Sequence, residues 1–220
     1  MVIDGQRSLI AGSSGSGKSY FAENTVLKTV LKNNKGARVV VFDPECSWDY
    51  SGFLIVNTLT ELVDVLSDCW DGYFKVIYQP NRHGDMVQEC HNVAVLIDKL
   101  QEPYLSSGGT VGNPVHLFID ESHFVLSNSR EYSGVQMLVR TGRKRGINIY
   151  FITQGLKDLP TWCRNNIEKF VCFKLAPNAD RDIETLRSMV GKTKVDELQK
   201  ASQYSYLRMS LDKIELVKSK

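Results

Sequence analysis

The sequence has no paired set of cysteines. Its five, Cys46, Cys69, Cys90, Cys163 and Cys172, are odd in number and include no C-x-x-C pair, which argues against a disulfide framework and a four-ligand zinc site. Cys90-His91 with His83 upstream offers three potential ligands, but lone residues at such spacing more often serve packing and surface roles. No charge dominates either. The 27 Lys and Arg stand against 25 Asp and Glu, a net +2, so contact with nucleic acid must come from local clusters and not from bulk charge. Long apolar runs are missing as well: the longest, residues 93–97, falls far short of the roughly 20 that cross a bilayer. The opening MVIDGQRSLI carries no secretory segment. These absences lead to the expectation of a reducing, cytosolic setting and no transmembrane segment.

What is present is ordinary globular material, 42% hydrophobic and 24% charged, enough for a chain of this length to bury roughly 70% of its unfolded surface. Short β-branched runs at residues 7–11, 37–43, 74–78, 115–120, 147–153 and 170–175 read as strands, several continuously apolar as parallel strands covered on both faces should be. Between them, residues 19–32, 59–70, 91–104, 133–145 and 181–190 follow the helical period. Residues 204–210 and 213–217, around Leu211-Asp212, read as a terminal hairpin. No composition shift divides the chain. The expectation is one α/β domain over residues 1–220, a mainly parallel sheet flanked by helices.

Gly12-Ser13-Ser14-Gly15-Ser16-Gly17-Lys18-Ser19 matches G-x-x-x-x-G-K-[ST] at every fixed position, after a strand and before a helix. The glycines let backbone N–H groups turn inward around phosphate oxygens, and the helix N-terminus adds partial positive charge. Lys18 is expected to reach the β- and γ-phosphates of ATP and Ser19 to ligate Mg²⁺, with Tyr20 completing the nucleotide-binding stretch. The apolar run 115–119 ends in Asp120-Glu121. Asp120 would hold Mg²⁺ and Glu121 would polarise the attacking water, which points to hydrolysis over a kinase. The strand 147–153 would bring Thr153 and Gln154 to the same sheet edge, facing the γ-phosphate. Before it, Arg140, Arg143, Lys144 and Arg145 crowd around Gly142 and Gly146. A solvated basic helix end is the plain meaning; arginine can also stabilise phosphoryl charge across a subunit boundary, and its neighbours can touch DNA phosphates.

Together, GSSGSGKS, the second strand with Asp43-Pro44, HLFIDE and TGRKRGINIYFITQ resemble the HerA/FtsK superfamily of P-loop DNA-pumping motors, over most of the chain and in order. The resemblance implies that Gln154 is a sensor. It also implies that an arginine, Arg143 before Arg140 or Arg145, completes a neighbour's site in a hexameric ring. The usual proline shortly after the glutamine is displaced to Pro160. The membrane, DNA-orienting and barrel domains of the larger members have no counterpart here, so the chain looks most like the genome-packaging ATPases of membrane-containing icosahedral viruses and phages.

The resulting expectation is an Mg²⁺-dependent, RecA-like ring ATPase that translocates double-stranded DNA into a capsid. Lys18, Glu121, Gln154 and Arg143 would be catalytic, and Arg140, Lys144 and Arg145 candidate DNA contacts. Portal or packaging-vertex proteins, including membrane proteins of the capsid, are the expected partners, in the host cytoplasm or at the virion vertex. The rivals are a related phage-assembly or protein-secretion ATPase, a P-loop kinase and a nucleotide-binding scaffold.

Overall fold

The strands of the computed structural model, which describes residues 5–33, 36–126, 133–210 and 213–219, are β1 (Arg7–Ala11), β2 (Arg38–Phe42), β3 (Leu54–Val56), β4 (Phe74–Tyr78), β5 (Val115–Ile119), β6 (Ile147–Thr153), β7 (Lys169–Phe173), β8 (Tyr206–Ser210) and β9 (Lys213–Val217). They form one sheet in the order β3-β4-β2-β5-β6-β1-β7-β8-β9. Every pairing from β3 across to β7 is parallel, and β7-β8 and β8-β9 are antiparallel. The terminal hairpin is present; its turn, Leu211-Asp212, lies outside the described residues.

Continuous burial of β1, β2 and β5 follows from their composition, and the two-residue period divides their side chains between two cores. Leu9, Val40, Phe42, Leu117, Ile119, Ile149 and Phe151 belong to one; Ile10, Val39, Val41, Phe118 and Ile152 belong to the other. The second core is closed by a helical rod made of α1 (Lys18–Phe21), a π-helical segment (Ala22–Leu27) and α2 (Lys28–Asn33), through Ala22, Leu27 and Val30. The first is closed by α3 (Leu59–Cys69), α4 (Met86–Leu100), α6 (Gly134–Thr141), α8 (Asp180–Val190) and α9 (Lys192–Lys200), with α5 (Glu102–Ser106) and α7 (Thr161–Arg164) as short connectors.

Local chemistry moves several boundaries from where periodicity puts them. The helix read over 91–104 starts at Met86 because Asp85 caps it, accepting from Gln88 N–H at 3.0 Å. It breaks at Gln101, and α5 restarts with Pro103 in its first turn, where a missing N–H costs nothing. The helix read over 133–145 ends at Thr141, since the next residues form tight turns: Arg145 N–H to Gly142 O at 3.0 Å and Ile147 N–H to Gly142 O at 2.9 Å. Strand β7 stops at Phe173, not 175, and the Lys174 carbonyl beyond it takes another partner.

Candidate nucleotide-binding site

The P-loop leaves β1 at the carboxyl edge of the sheet, where open α/β sheets place ligands. Gly12 N–H donates to the Thr153 carbonyl at 3.2 Å, and Ser13 donates to the Lys174 carbonyl through its N–H at 3.1 Å and its hydroxyl at 3.0 Å. The loop is thereby tied to the ends of both strands flanking β1. Gly17 stands at φ +98°, and a Cβ there would lie 3.0 Å from the Tyr204 ring. The first helical bond runs from Phe21 N–H to Gly17 O at 2.9 Å; the amides of Lys18, Ser19 and Tyr20 precede it and have no acceptor within the helix. Beside them Ser16 Oγ is buried without a hydrogen-bond partner. This is a cradle of donors, suited to phosphate.

Lys18 is buried at the start of the rod, with Nζ 3.6 Å from Glu121 Oε1. The same oxygen accepts from Gln154 Nε2 at 2.6 Å. Glu121 Oε2 lies 3.4 Å from His123 Nδ1, which sits 3.3 Å from Thr153 Oγ1. Three strand ends therefore meet at one carboxylate. Glu121 adopts left-handed backbone, φ 41°, where β5 gives way to a 3₁₀ turn at Ser122–Phe124, a conformation uncommon outside glycine and frequent at functional sites.

Asp120, 2% exposed, accepts from Trp48 Nε1 at 2.9 Å, from Ser47 Oγ at 3.3 Å and from Glu121 N–H at 2.9 Å. Burial pushes its carboxyl above the usual range; the Trp48 and Glu121 N–H groups pull it back, while the Glu121 and Asp43 carboxylates push it further up. Asp43 is itself buried and held by Ser47, Trp48 and Gln79 at 2.9–3.3 Å. Glu23, on the π segment, is raised by burial and then by Asp120 and Asp43. Among the described residues no group of three or more Asp, Glu, His and Cys side chains converges as a metal site. Asp120 and Ser19 are the residues the two motifs offer to Mg²⁺.

The basic run lies elsewhere. Arg143 precedes β6, whose seven residues span about 20 Å at the usual strand rise, so it occupies the opposite edge of the sheet from Gln154, away from the P-loop of the same chain. Its side chain is 59% exposed and 3.5 Å from Glu168, and its backbone is crossed so closely by Gly5 that a Cβ there would sit 2.1 Å from Arg143 Cα. Arg145 is engaged within the fold, pairing with Asp98 at 2.9 Å and Glu102 at 2.6 Å. Arg140 and Lys144 lie on the exposed surface beside it. Tyr20 is 72% exposed at the P-loop's rim.

No protein-family model matches the sequence, and no curated protein matches it. Solved structures do. The sulfate complex of the genome packaging NTPase B204 from Sulfolobus turreted icosahedral virus 2 superposes with a TM-score of 0.74 at 17% identity, covering 99% of this chain and 98% of that one. The fold is that of a RecA-like P-loop ATPase. VirB4 of Thermoanaerobacter pseudethanolicus (TM-score 0.66, 12% identity, 98% of this chain, 89% of that one) and the bacterial conjugative coupling protein TrwBdeltaN70 (0.66, 13%, 98%, 86%) share this P-loop fold. The viral packaging ATPases that the sequence resembles are thus represented among its structural neighbours.

The fold brings Lys18, Glu121 and Gln154 into contact, while Asp120, one residue before Glu121, faces Trp48 and Ser47. Trp48, Ser47 and His123 were not legible as site residues. A buried tryptophan needs an acceptor for its N–H, and a histidine two residues after the acid pair was the available sign for the last.

Glu23 carries a test. Its folded value lies above its unfolded one, so the folded state holds the proton more tightly and stability falls as pH rises through that interval; at neutral pH the charge is a net cost. Glu23→Gln should raise the melting temperature of the metal-free, nucleotide-free protein at pH 7 by about one to two degrees, against the 2–4 °C that each kcal/mol gives at this size. Scanning calorimetry at pH 7 and near pH 4 checks it, and the gain should shrink at the lower pH.

Proposed function

We propose that the chain is an ATP hydrolase that assembles as a homo-oligomeric ring, expected as a hexamer, and translocates double-stranded DNA into a viral capsid. One observation carries the reading: a carboxylate, Glu121, is held between the P-loop lysine and Gln154 beside the loop's free amides. The neighbours crystallised with ATP analogues support nucleotide binding at this cradle.

Lys18 and the loop amides bind the triphosphate. Once Lys18 turns to phosphate oxygens, Glu121 loses its cationic partner and can accept a proton from water. Gln154, hydrogen-bonded to that carboxylate, is placed to couple its position to the γ-phosphate. Bound Mg²⁺ would supply positive charge against the phosphates, with Ser19 and Asp120 as its protein ligands. Arg143, exposed on the far edge, would serve the adjacent subunit's site, which couples hydrolysis to movement between subunits. Arg140 and Lys144 would touch DNA phosphates without reading bases; Arg145, held by two acids, would mainly brace that turn. At a packaging vertex in the host cytoplasm or virion, portal or capsid membrane proteins would anchor the ring.

Phosphate release measured with and without double-stranded DNA tests this directly. DNA should stimulate turnover irrespective of its sequence, the effect should fall steeply with salt, and Lys18→Ala should abolish release at any DNA concentration. A motor for protein or phage assembly would hydrolyse ATP without responding to DNA.

Arg143→Ala should bind ATP normally and turn over about 10³-fold more slowly. Mixing it with Lys18→Ala subunits should restore activity, because a ring then pairs an intact P-loop with an intact neighbouring arginine. Demonstrated mixed rings that stay inactive, with wild-type subunits titrated in as control, would contradict a shared site.

A further inference from the structure

Gln154 has little to hold it. The residue is exposed, and among the described residues its amide has one hydrogen-bond partner, Glu121. Where the amide points therefore depends on the backbone that carries it past the end of β6. The loop that follows, residues 155–159, contains no proline, so no ring fixes its dihedrals from within.

That loop is fixed from outside. Gly155 N–H donates to Thr153 Oγ1 at 3.3 Å, and the same hydroxyl donates to the Gly155 carbonyl at 3.1 Å. Leu156 and Leu159 are buried in the first core. Between them, Lys157 N–H donates to Asp182 Oδ1 at 2.8 Å, across 25 residues of sequence. A Cβ at residue 155 would lie 3.8 Å from that oxygen, so the Asp182 carboxylate stands close to the residue next to Gln154.

Asp182 lies in the first turn of α8, four and eight residues before Leu186 and Val190, and all three are buried. An acid in the first turn suits the helix dipole, but Asp180 does this from the surface. At 7% exposure Asp182 carries a desolvation cost that the dipole does not require and that the bond from Lys157 offsets. The helix it belongs to also borders the site. A cavity of about 700 Å³ is lined by Ser13, Ser16 and Gln154 and by Lys174, Ala179 and Gln199. Ala179 immediately precedes α8, and Gln199 lies on α9, which is joined to α8 through Arg187 and Asp196 at 3.0 Å.

We propose that Asp182 is a positioning residue for hydrolysis: it pins the loop after Gln154 to α8 and so keeps the amide on Glu121. The proposal rests on reading the site as an ATP hydrolase and adds a residue that lies outside its motifs. Asp182 touches neither nucleotide nor water. It acts on turnover through Gln154, whereas binding of the triphosphate depends on Lys18 and the loop amides.

Steady-state turnover and equilibrium binding of ATP with Mg²⁺ on the full chain test it, using wild type, Asp182→Ala, Asp182→Asn, Gln154→Ala and the Gln154→Ala, Asp182→Ala double variant. A displacement of about 1 Å at a distance from the chemistry can cost about 10²-fold in rate, so Asp182→Ala should lower kcat about tenfold with ATP affinity within about twofold of wild type. Asp182→Asn keeps an oxygen that can accept from Lys157 N–H and should return kcat to within about twofold of wild type. Gln154→Ala should itself be slow, and adding Asp182→Ala to it should change kcat by less than about twofold, because the group through which Asp182 acts is gone. Additive losses in the double variant would overturn the proposal. So would an Asp182→Ala or Gln154→Ala as fast as wild type, an Asp182→Asn as slow as Asp182→Ala, or an Asp182→Ala that loses ATP affinity as much as kcat. Where Asp182→Ala does not fold, Asp182→Glu, which keeps the charge and displaces the acceptor, takes its place in the same cycle with the same expectations. A wild type that hydrolyses ATP while the variants depart from this pattern overturns the positioning role alone, whereas a wild type without turnover overturns the hydrolase reading and this role with it.

Discussion

At the mouth of the P-loop a lysine amine, two adjacent carboxylates and an amide are drawn out of bulk water into a few ångströms, and none of them can be left uncompensated. Lys18 is buried because Glu121 balances it; Gln154 donates to Glu121 Oε1, while Glu121 Oε2 lies 3.4 Å from His123 and is buried without a hydrogen-bond partner. Asp120, one residue earlier, is turned the other way into a second network with Trp48 and Ser47. The left-handed kink at Glu121 separates the two. Under the proposed function a triphosphate would compete with Glu121 for Lys18, making its binding and the activation of the base one event.

The sheet acts as a ruler for the rest. Parallel strands place every carboxyl end on one edge, where β1, β5 and β6 deliver the P-loop, the acid pair and Gln154 side by side. Their amino ends define the opposite edge, where Gly5, Glu168 and the turn carrying Arg143 pack together. The length of β6 keeps Arg143 apart from its own P-loop. Arg143 stays more than half exposed there, 3.5 Å from Glu168. Arg145 shows the contrast, since its two acidic partners keep it inside the fold.

Much of this was legible because it depends on short-range pattern. Val39-Val40-Val41-Phe42 can be little else than a strand buried on both faces, and the spacing from Gly12 to Ser19 leaves few alternatives to a phosphate loop. Contacts set by long-range packing were not legible. Trp48 reaches Asp120 across 72 residues of sequence, and nothing near Trp48 announces it. The helix around Gln101 was misplaced because periodicity continues through the break, and strand β3 was missed because three residues, two of them exposed, carry too little alternation. The π segment was unreadable for a related reason: Ala22–Leu27 has helical apolar spacing whichever carbonyl each N–H selects.

Glu121 as the base that activates water makes a direct statement about which nucleotide stays bound. Glu121→Gln and wild-type protein are loaded with ATP and Mg²⁺, freed of unbound nucleotide, and the retained nucleotide is identified over time. The variant keeps the shape of the side chain while losing its basicity, so it should retain ATP intact where wild type retains ADP. Conversion of bound ATP to ADP by Glu121→Gln at the wild-type rate would contradict the claim.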